Sequence, residues 1–141
     1  MQGGDGEEHH EDETQSESKK RKLEKAAAEL KDGEVIVINS ASELEIKLFA
    51  ACKLRRLAII SFMATWCGPC RYMSPEYTSL AVKYPKVVFL KVDIDEATNV
   101  AMAYKVSSIP NFFFVKEGKQ IDQLVTVDKN TLEEKIAQHS V

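Results

Sequence analysis

A chain of 141 residues with 44% hydrophobic content can build one ordinary core but not two. Its formal net charge of −3, with no long basic stripe in the central region, argues against nucleic acid as a partner. No apolar run approaches membrane-spanning length and the acidic, His- and Glu-rich start is unlike a signal peptide, so membrane association is not expected and the cytoplasm is.

Met1 to about Ser18 is rich in Gly, Glu, Asp and Ser and lacks Leu, Ile, Val and aromatic residues. Such a stretch cannot bury enough surface to offset its ordering entropy, and disorder is expected. The charge changes sign at Lys19-Lys20-Arg21-Lys22, which reads as solvated linker charge, with nuclear import as the rarer alternative. Leu23 to Lys31 has helix-forming composition but little apolar face, and Asp32-Gly33 stops it. Residues 1–32 therefore read as a charged extension, acidic then basic, and residues 33–141 as the compact domain.

From there the elements alternate. Val35 to Asn39 reads as a short strand, and Ser40-Ala41-Ser42-Glu43 has the capping-box spacing that opens a helix to about Arg55. Leu57 to Met63 is a nearly unbroken apolar run, the pattern of a strand buried on both faces. A helix follows from Arg71 to Tyr84, with Pro75 expected to kink it. Val87 to Val92 is the next strand and Glu96 to Tyr104 a short helix. Asn111 to Val115 and Gln120 to Val127 flank Lys116-Glu117-Gly118-Lys119, a hairpin signature, so Phe112-Phe113-Phe114 belongs to a buried strand. Thr131 to Glu134 begins the last helix, with Leu132 and Ile136 facing inward. The order βαβαβαββα, without internal repeat, predicts an α/β domain with a central mixed sheet flanked by helices.

Between the second strand and its helix stands Trp66-Cys67-Gly68-Pro69-Cys70. A Cys-x-x-Cys pair at a strand-to-helix turn within a βαβ pattern reads as a dithiol/disulfide redox site. If Cys67 caps the first turn, its sulfur faces unpaired backbone N–H groups and the positive end of the helix dipole. That setting favours the thiolate, which is the nucleophile in disulfide exchange. Cys70, one turn further in, is placed to attack a mixed disulfide formed at Cys67. Gly68 is expected to permit the tight turn, and Pro69 suits an early helical position. Three cysteines, an odd count, argue against a structural disulfide framework. A zinc site needs a second ligand pair, and Cys52, His9, His10 and His139 offer none with the right spacing. Cys52 shares a helical face with Leu44 and Leu48 and reads as a half-buried apolar filler, a dimer-forming thiol being the alternative. His9-His10 reads as solvated tail.

This motif in this element order, with Ile109-Pro110 later, resembles thioredoxin from about Glu34 to Val141. Further landmarks are Pro75, the run Phe89-Leu90-Lys91-Val92-Asp93 and Gly118. Cys70-Arg71-Tyr72-Met73-Ser74-Pro75 and the ending Glu134 to Ser140 look most like the C-terminal thioredoxin module of plant tetratricopeptide-repeat thioredoxins, which are related to the Hsp70-interacting protein. The Lys-rich lead into Lys31-Asp32-Gly33-Glu34-Val35 is similar to the linker of those proteins, whose repeats this sequence lacks.

The resemblance implies the thioredoxin fold and a cis Ile109–Pro110 bond beside the dithiol, where backbone groups pair with an extended substrate. It implies that Trp66 covers one side of the site and touches substrate. Electrons would pass to protein disulfides through Cys67 and Cys70, with no bound cofactor or metal. Re-reduction would come from an NADPH-dependent thioredoxin reductase or from glutathione and glutaredoxin. Chaperones enter as partners if the chain is part of a longer repeat protein. Gly68-Pro69 between the cysteines is the reducing type, against an oxidase or isomerase.

Three positions depart from the family pattern. The buried aspartate usual five residues before the motif Trp is Ser61, the residue after the cis proline is Asn111 instead of threonine, and a glycine near the substrate groove is replaced by Thr126, expected to crowd that surface. Serine lacks a carboxylate's basicity near neutral pH, so resolution by Cys70 is expected to be slower or to use water. The leading reading is a protein-disulfide reductase. The alternative is a redox-dependent, chaperone-like or co-chaperone binding module with low turnover.

Overall fold

The computed structural model describes residues 17–22, 24–25 and 30–141. Besides helical backbone at 17–22 and 24–25, the described chain runs β1 (Val35–Ile38), α1 (Ala41–Lys53), β2 (Ala58–Met63), α2 (Gly68–Lys83), β3 (Val88–Asp93), α3 (Thr98–Ala103), β4 (Asn111–Lys116), β5 (Lys119–Val125) and α4 (Lys129–His139). The sheet order is β1-β3-β2-β4-β5, with β1, β3 and β2 mutually parallel and β4 and β5 antiparallel additions. The expected mixed α/β sheet is what forms.

β2 sits at the centre because its residues are apolar on both sides, with Ala58 through Phe62 all buried. One face carries Ile38, Ile60, Phe62, Leu90 and Phe113 against Leu44 and Ala50 of α1 and Val100 of α3. The other carries Ile59, Phe89, Phe112 and Phe114 against Met73, Tyr77 and Leu80 of α2 and Leu132 and Ile136 of α4. Strand alternation assigns every one of these side chains to its face. Among the described residues no helix is long and apolar enough to cross a membrane.

The helix ends follow local chemistry. Ser40 Oγ accepts the Glu43 N–H at 3.2 Å, while the Glu43 carboxylate reaches back to the N–H of Asn39 at 3.3 Å. Such a cap contributes about 1 kcal/mol. α1 stops at Lys53, short of the expected Arg55, because Arg55 takes a left-handed φ of 56° that ends the helix. α2 begins at Gly68, three residues ahead of expectation, and Pro75 lies inside it without ending it.

The N-terminal boundary differs from the sequence expectation. Leu30, ahead of residue 33, is buried in the α1-side core. Asp32 accepts from Arg56 Nη2 at 3.0 Å and from Lys86 Nζ at 2.7 Å, while Arg56 also donates to the backbone oxygens of Pro85 and Lys86. The turn before β1 is thus tied to two loops. Residues 17–18 of the segment expected to be disordered are helical, and Lys19 pairs with Glu45 of α1 at 3.6 Å. The remainder of that expectation, including the His9-His10 tail, lies outside the described residues.

α4 is capped by Asp128, which accepts from the Asn130 N–H at 3.0 Å, so the helix starts two residues ahead of Thr131. Its last turns join β5 through Asp122, whose Oδ2 takes Lys135 Nζ at 2.6 Å and lies 2.9 Å from His139 Nε2. The Lys135 hydrogen bond, then that of His139, holds the Asp122 carboxyl at about 2. An unfolded aspartate ionises near ~4. The cluster therefore stabilises the fold above the unfolded value and loses that contribution as the medium is acidified towards the folded one. Asp122→Asn is expected to cost about 1–2 kcal/mol at neutral pH, allowing for partial exposure. Urea unfolding checks this: the gap to the wild type should close in strong acid.

Candidate dithiol active site

β2 delivers the chain to Ala64, and the turn through Trp66 hands it to α2. Cys67 is the N-cap of α2, with extended backbone at φ −83° and ψ 114°. Its Sγ accepts the Cys70 N–H at 3.2 Å, so the sulfur occupies the place where a capping oxygen usually sits. The Cα atoms of Cys67 and Cys70 are 5.2 Å apart and the two sulfurs are at bonding distance, paired as a disulfide. Both are largely covered, at 6% and 3% exposure, within a small cluster completed by Ala64, Met63, Ile94 and Ile109.

Trp66 lies outside this cluster and is 67% exposed. Its indole Nε1 donates to Asp95 Oδ2 at 2.8 Å. Pro69 is exposed in the first turn of α2. Gly68 does not serve the purpose the sequence suggested. It is the first helical residue, its φ is not in the left-handed region, and a Cβ there would meet no atom within 4 Å. The turn itself does not require a glycine there.

The Ile109–Pro110 bond is cis. Ile109 packs on the cysteine cluster and Pro110 is buried at the mouth of β4, so both are brought to the sulfurs from far along the chain. Asn111 is buried, its Oδ1 accepting from Gln123 Nε2 across the hairpin at 3.2 Å. Thr126 follows Val125, the register partner of Asn111, and its hydroxyl accepts the Asp128 N–H at 2.9 Å. It stands in the turn into α4.

Ser61 lies on β2 facing α2 and is only 6% exposed. It shares a cavity of about 390 Å³ with Cys70, Met73, Lys91, Pro110 and Phe112. Two members of the site were not singled out from sequence. Asp95, which fixes Trp66, carries no sequence signal. Lys91 does carry one, being a lone charge inside the apolar strand Val88-Phe89-Leu90-Lys91-Val92. Cys52 is half-buried near the hairpin, 3.8 Å from where a Cβ on Gly118 would sit. Among the described residues no group of three or more His, Cys, Asp or Glu is arranged to hold a metal.

A helix capped by one sulfur, with a second sulfur within bonding reach and a proline loop closing over both, defines a dithiol–disulfide oxidoreductase domain. A profile of the family described as Thioredoxin matches residues 35–138, and the chain belongs to the thioredoxin family. It is 59% identical over 115 residues to the TPR repeat-containing thioredoxin TDX of Arabidopsis thaliana, covering 82% of this chain. It spans only 30% of that protein's length and 36% of its counterpart in Oryza sativa subsp. japonica. Thioredoxin H-type of Picea mariana is 42% identical over 75% of this chain and 85% of its own. The crystal structure of thioredoxin NaTrxh from Nicotiana alata superposes with a TM-score of 0.72 at 35% identity, covering 77% of this chain and 94% of that one.

Proposed function

We propose that this chain reduces disulfide bonds in other proteins by dithiol–disulfide exchange. The observation that carries the reading is Cys67 at the mouth of α2 with Cys70 within bonding reach. In the reduced state the Cys67 thiolate attacks one sulfur of a client disulfide, forming a mixed disulfide and releasing the other client sulfur as a thiolate. Cys70 then loses its proton and attacks Cys67 Sγ. The Cys67–Cys70 bond forms, the bond to the client breaks, and two electrons have moved to the client. Family values, a nucleophile pKa of about 7 and a potential of about −270 mV, suit strained or regulatory disulfides more than buried structural ones.

The oxidised pair must be reduced again, and we assign that step to an NADPH-dependent thioredoxin reductase or to glutathione and glutaredoxin. A reducing dithiol fits a compartment that keeps thiols reduced, which supports the cytoplasm. The Lys19–Lys22 run is the feature that would carry the chain to the nucleus. Joined to repeats as in the TDX relatives, the module would work on clients gathered by those repeats, chaperones included.

Insulin reduction coupled to NADPH and thioredoxin reductase tests the reading. The wild type should turn over and Cys67→Ser should be inert. One observation favours a second reading, a client-holding module with little turnover: the buried position facing Cys70 is a serine with no carboxylate. Client binding that survives Cys67→Ser, beside negligible wild-type turnover, would establish that alternative. Ser61→Asp is expected to raise turnover several-fold by supplying a base to Cys70. If the rate stays flat, Ser61 is not what limits resolution.

A further inference from the structure

The cavity of about 390 Å³ between β1 and α2 is large enough for a small organic molecule. Its floor is one lateral row of the sheet. Val37 of β1 pairs with Lys91 of β3, Lys91 with Ser61 of β2, and Ser61 with Phe112 of β4. Directly opposed residues share a face, so the Lys91 and Ser61 side chains lie side by side there. Ser61 is 6% exposed, its hydroxyl bonds to no described residue, and its oxygen is not sealed in, so it opens onto the cavity. Lys91 is half-buried and has no ion pair or hydrogen bond among the described residues. A buried hydroxyl beside an ammonium, neither of them taken up by the fold, is a pair of donors suited to one anion.

The rest of the lining narrows the class of anion. Val35, Val37, Met73 and Phe112 supply apolar wall around the two donors, which suits a short hydrocarbon tail. α2 adds no charge: besides Cys70 and Met73 it contributes Ser74, Tyr77 and Thr78. The Tyr77 hydroxyl donates to Leu90 O and Ile59 O, and that of Thr78 to Ser74 O, so neither is spare. Asp93, two residues beyond Lys91, does not line the cavity, and its Oδ1 accepts the Asp95 N–H at 2.8 Å. The remaining charge is Glu34, exposed at the rim three residues before Val37, roughly 10 Å away along the strand direction. One ammonium balances one carboxylate, and a negative rim disfavours a second.

We infer that this cavity binds a small monocarboxylate with a short aliphatic tail. Lys91 and Ser61 hold the carboxylate, one by a charge-assisted hydrogen bond and the other by a neutral one, and the tail lies against Val35, Val37 and Phe112. The ligand goes beyond the reductase reading and does not depend on it. Cys70 borders the same cavity, which puts the ligand next to the inner sulfur of the pair. The serine is what leaves room: an aspartate at position 61 would place a fixed carboxylate beside Lys91 and close the site to an external one.

Hexanoate is the probe. Titrated into the oxidised chain at neutral pH and followed by amide NMR shifts, it should saturate with a Kd of about 1 mM or tighter, the shifts centring on Val37, Ser61 and Lys91. Hexanol, which keeps the tail and drops the charge, should bind at least about tenfold more weakly, and adipate, with a second carboxylate at the far end, several-fold more weakly. Lys91→Met should reduce hexanoate to the level of hexanol, while Lys91→Arg keeps the preference for the acid. Ser61→Asp should abolish hexanoate binding, the dispersion of the same amide spectrum showing that the variant is folded. Shifts that do not saturate, or that centre elsewhere on the molecule, overturn the site. Equal binding of hexanol and hexanoate, or an unaltered affinity in Lys91→Met or Ser61→Asp, overturns the anion assignment, and adipate binding as tightly as hexanoate overturns the selection of a single charge. The three ligands on the unaltered chain decide the matter even if a variant fails to fold.

Discussion

Cys70→Ser is expected to abolish turnover and leave Cys67 bonded to its client. The two sulfurs are at bonding distance and Cys70 lies in the first turn of the helix that Cys67 caps, so no other thiol can reach the mixed disulfide from within the fold. Cys52, the remaining cysteine, is on α1, across the sheet from α2. A serine oxygen is a far weaker nucleophile near neutral pH, so steady-state insulin reduction should fall by roughly a hundredfold or more, which is over 2.7 kcal/mol in barrier. Non-reducing electrophoresis should show a covalent client adduct with Cys70→Ser and none with Cys67→Ser. Multiple turnovers by Cys70→Ser at near the normal rate would remove the two-cysteine mechanism.

Tyr77→Ala is expected to cause the largest loss of stability. The ring is buried between the sheet and α2, with centroids 5.0 Å from Phe89 and 5.6 Å from Phe112. Its hydroxyl donates to Leu90 O at 2.8 Å and Ile59 O at 3.2 Å, and burial pushes its ionisation well above the usual value, so it remains a donor. Truncation removes the aromatic contacts and leaves a cavity, at a cost of about 3–5 kcal/mol. Tyr77→Phe keeps the ring and should cost only about 1–2 kcal/mol for the lost hydrogen bonding. Urea unfolding of the two variants separates packing from hydrogen bonding. Equal losses would mean that the hydroxyl, rather than the ring, is what matters.

Sequence and structure agree at several local signals. The Ser40 cap, the apolar β2, the Lys116–Lys119 hairpin and the Cys67 cap each depend on residues within a few positions of one another. Some of the disagreements arise where distant segments decide. Leu30 sits in a charged stretch without apolar periodicity, and only its packing against the α1-side core draws the boundary forward. Lys91 becomes a neighbour of Ser61 through parallel pairing of β2 with β3, a register invisible from either strand alone. The role assigned to Gly68 failed because a Cys-capped helix start keeps ordinary backbone angles, while Pro69 at its opening extends α2 towards the motif. Thr126 is read as a groove residue through the family resemblance, and the turn its hydroxyl makes with the Asp128 N–H could not be seen from that resemblance.

β1 has four residues, a single neighbour and pairings that reach from Val35 to Phe89. β5 is also marginal, but a tight hairpin returns it to its partner. Transient detachment of β1 therefore costs less than that of any inner strand, and its amides should be the quickest of the parallel set to exchange with deuterium. Val35 and Val37 line the same cavity as Cys70, so each such fluctuation is expected to loosen one wall of it.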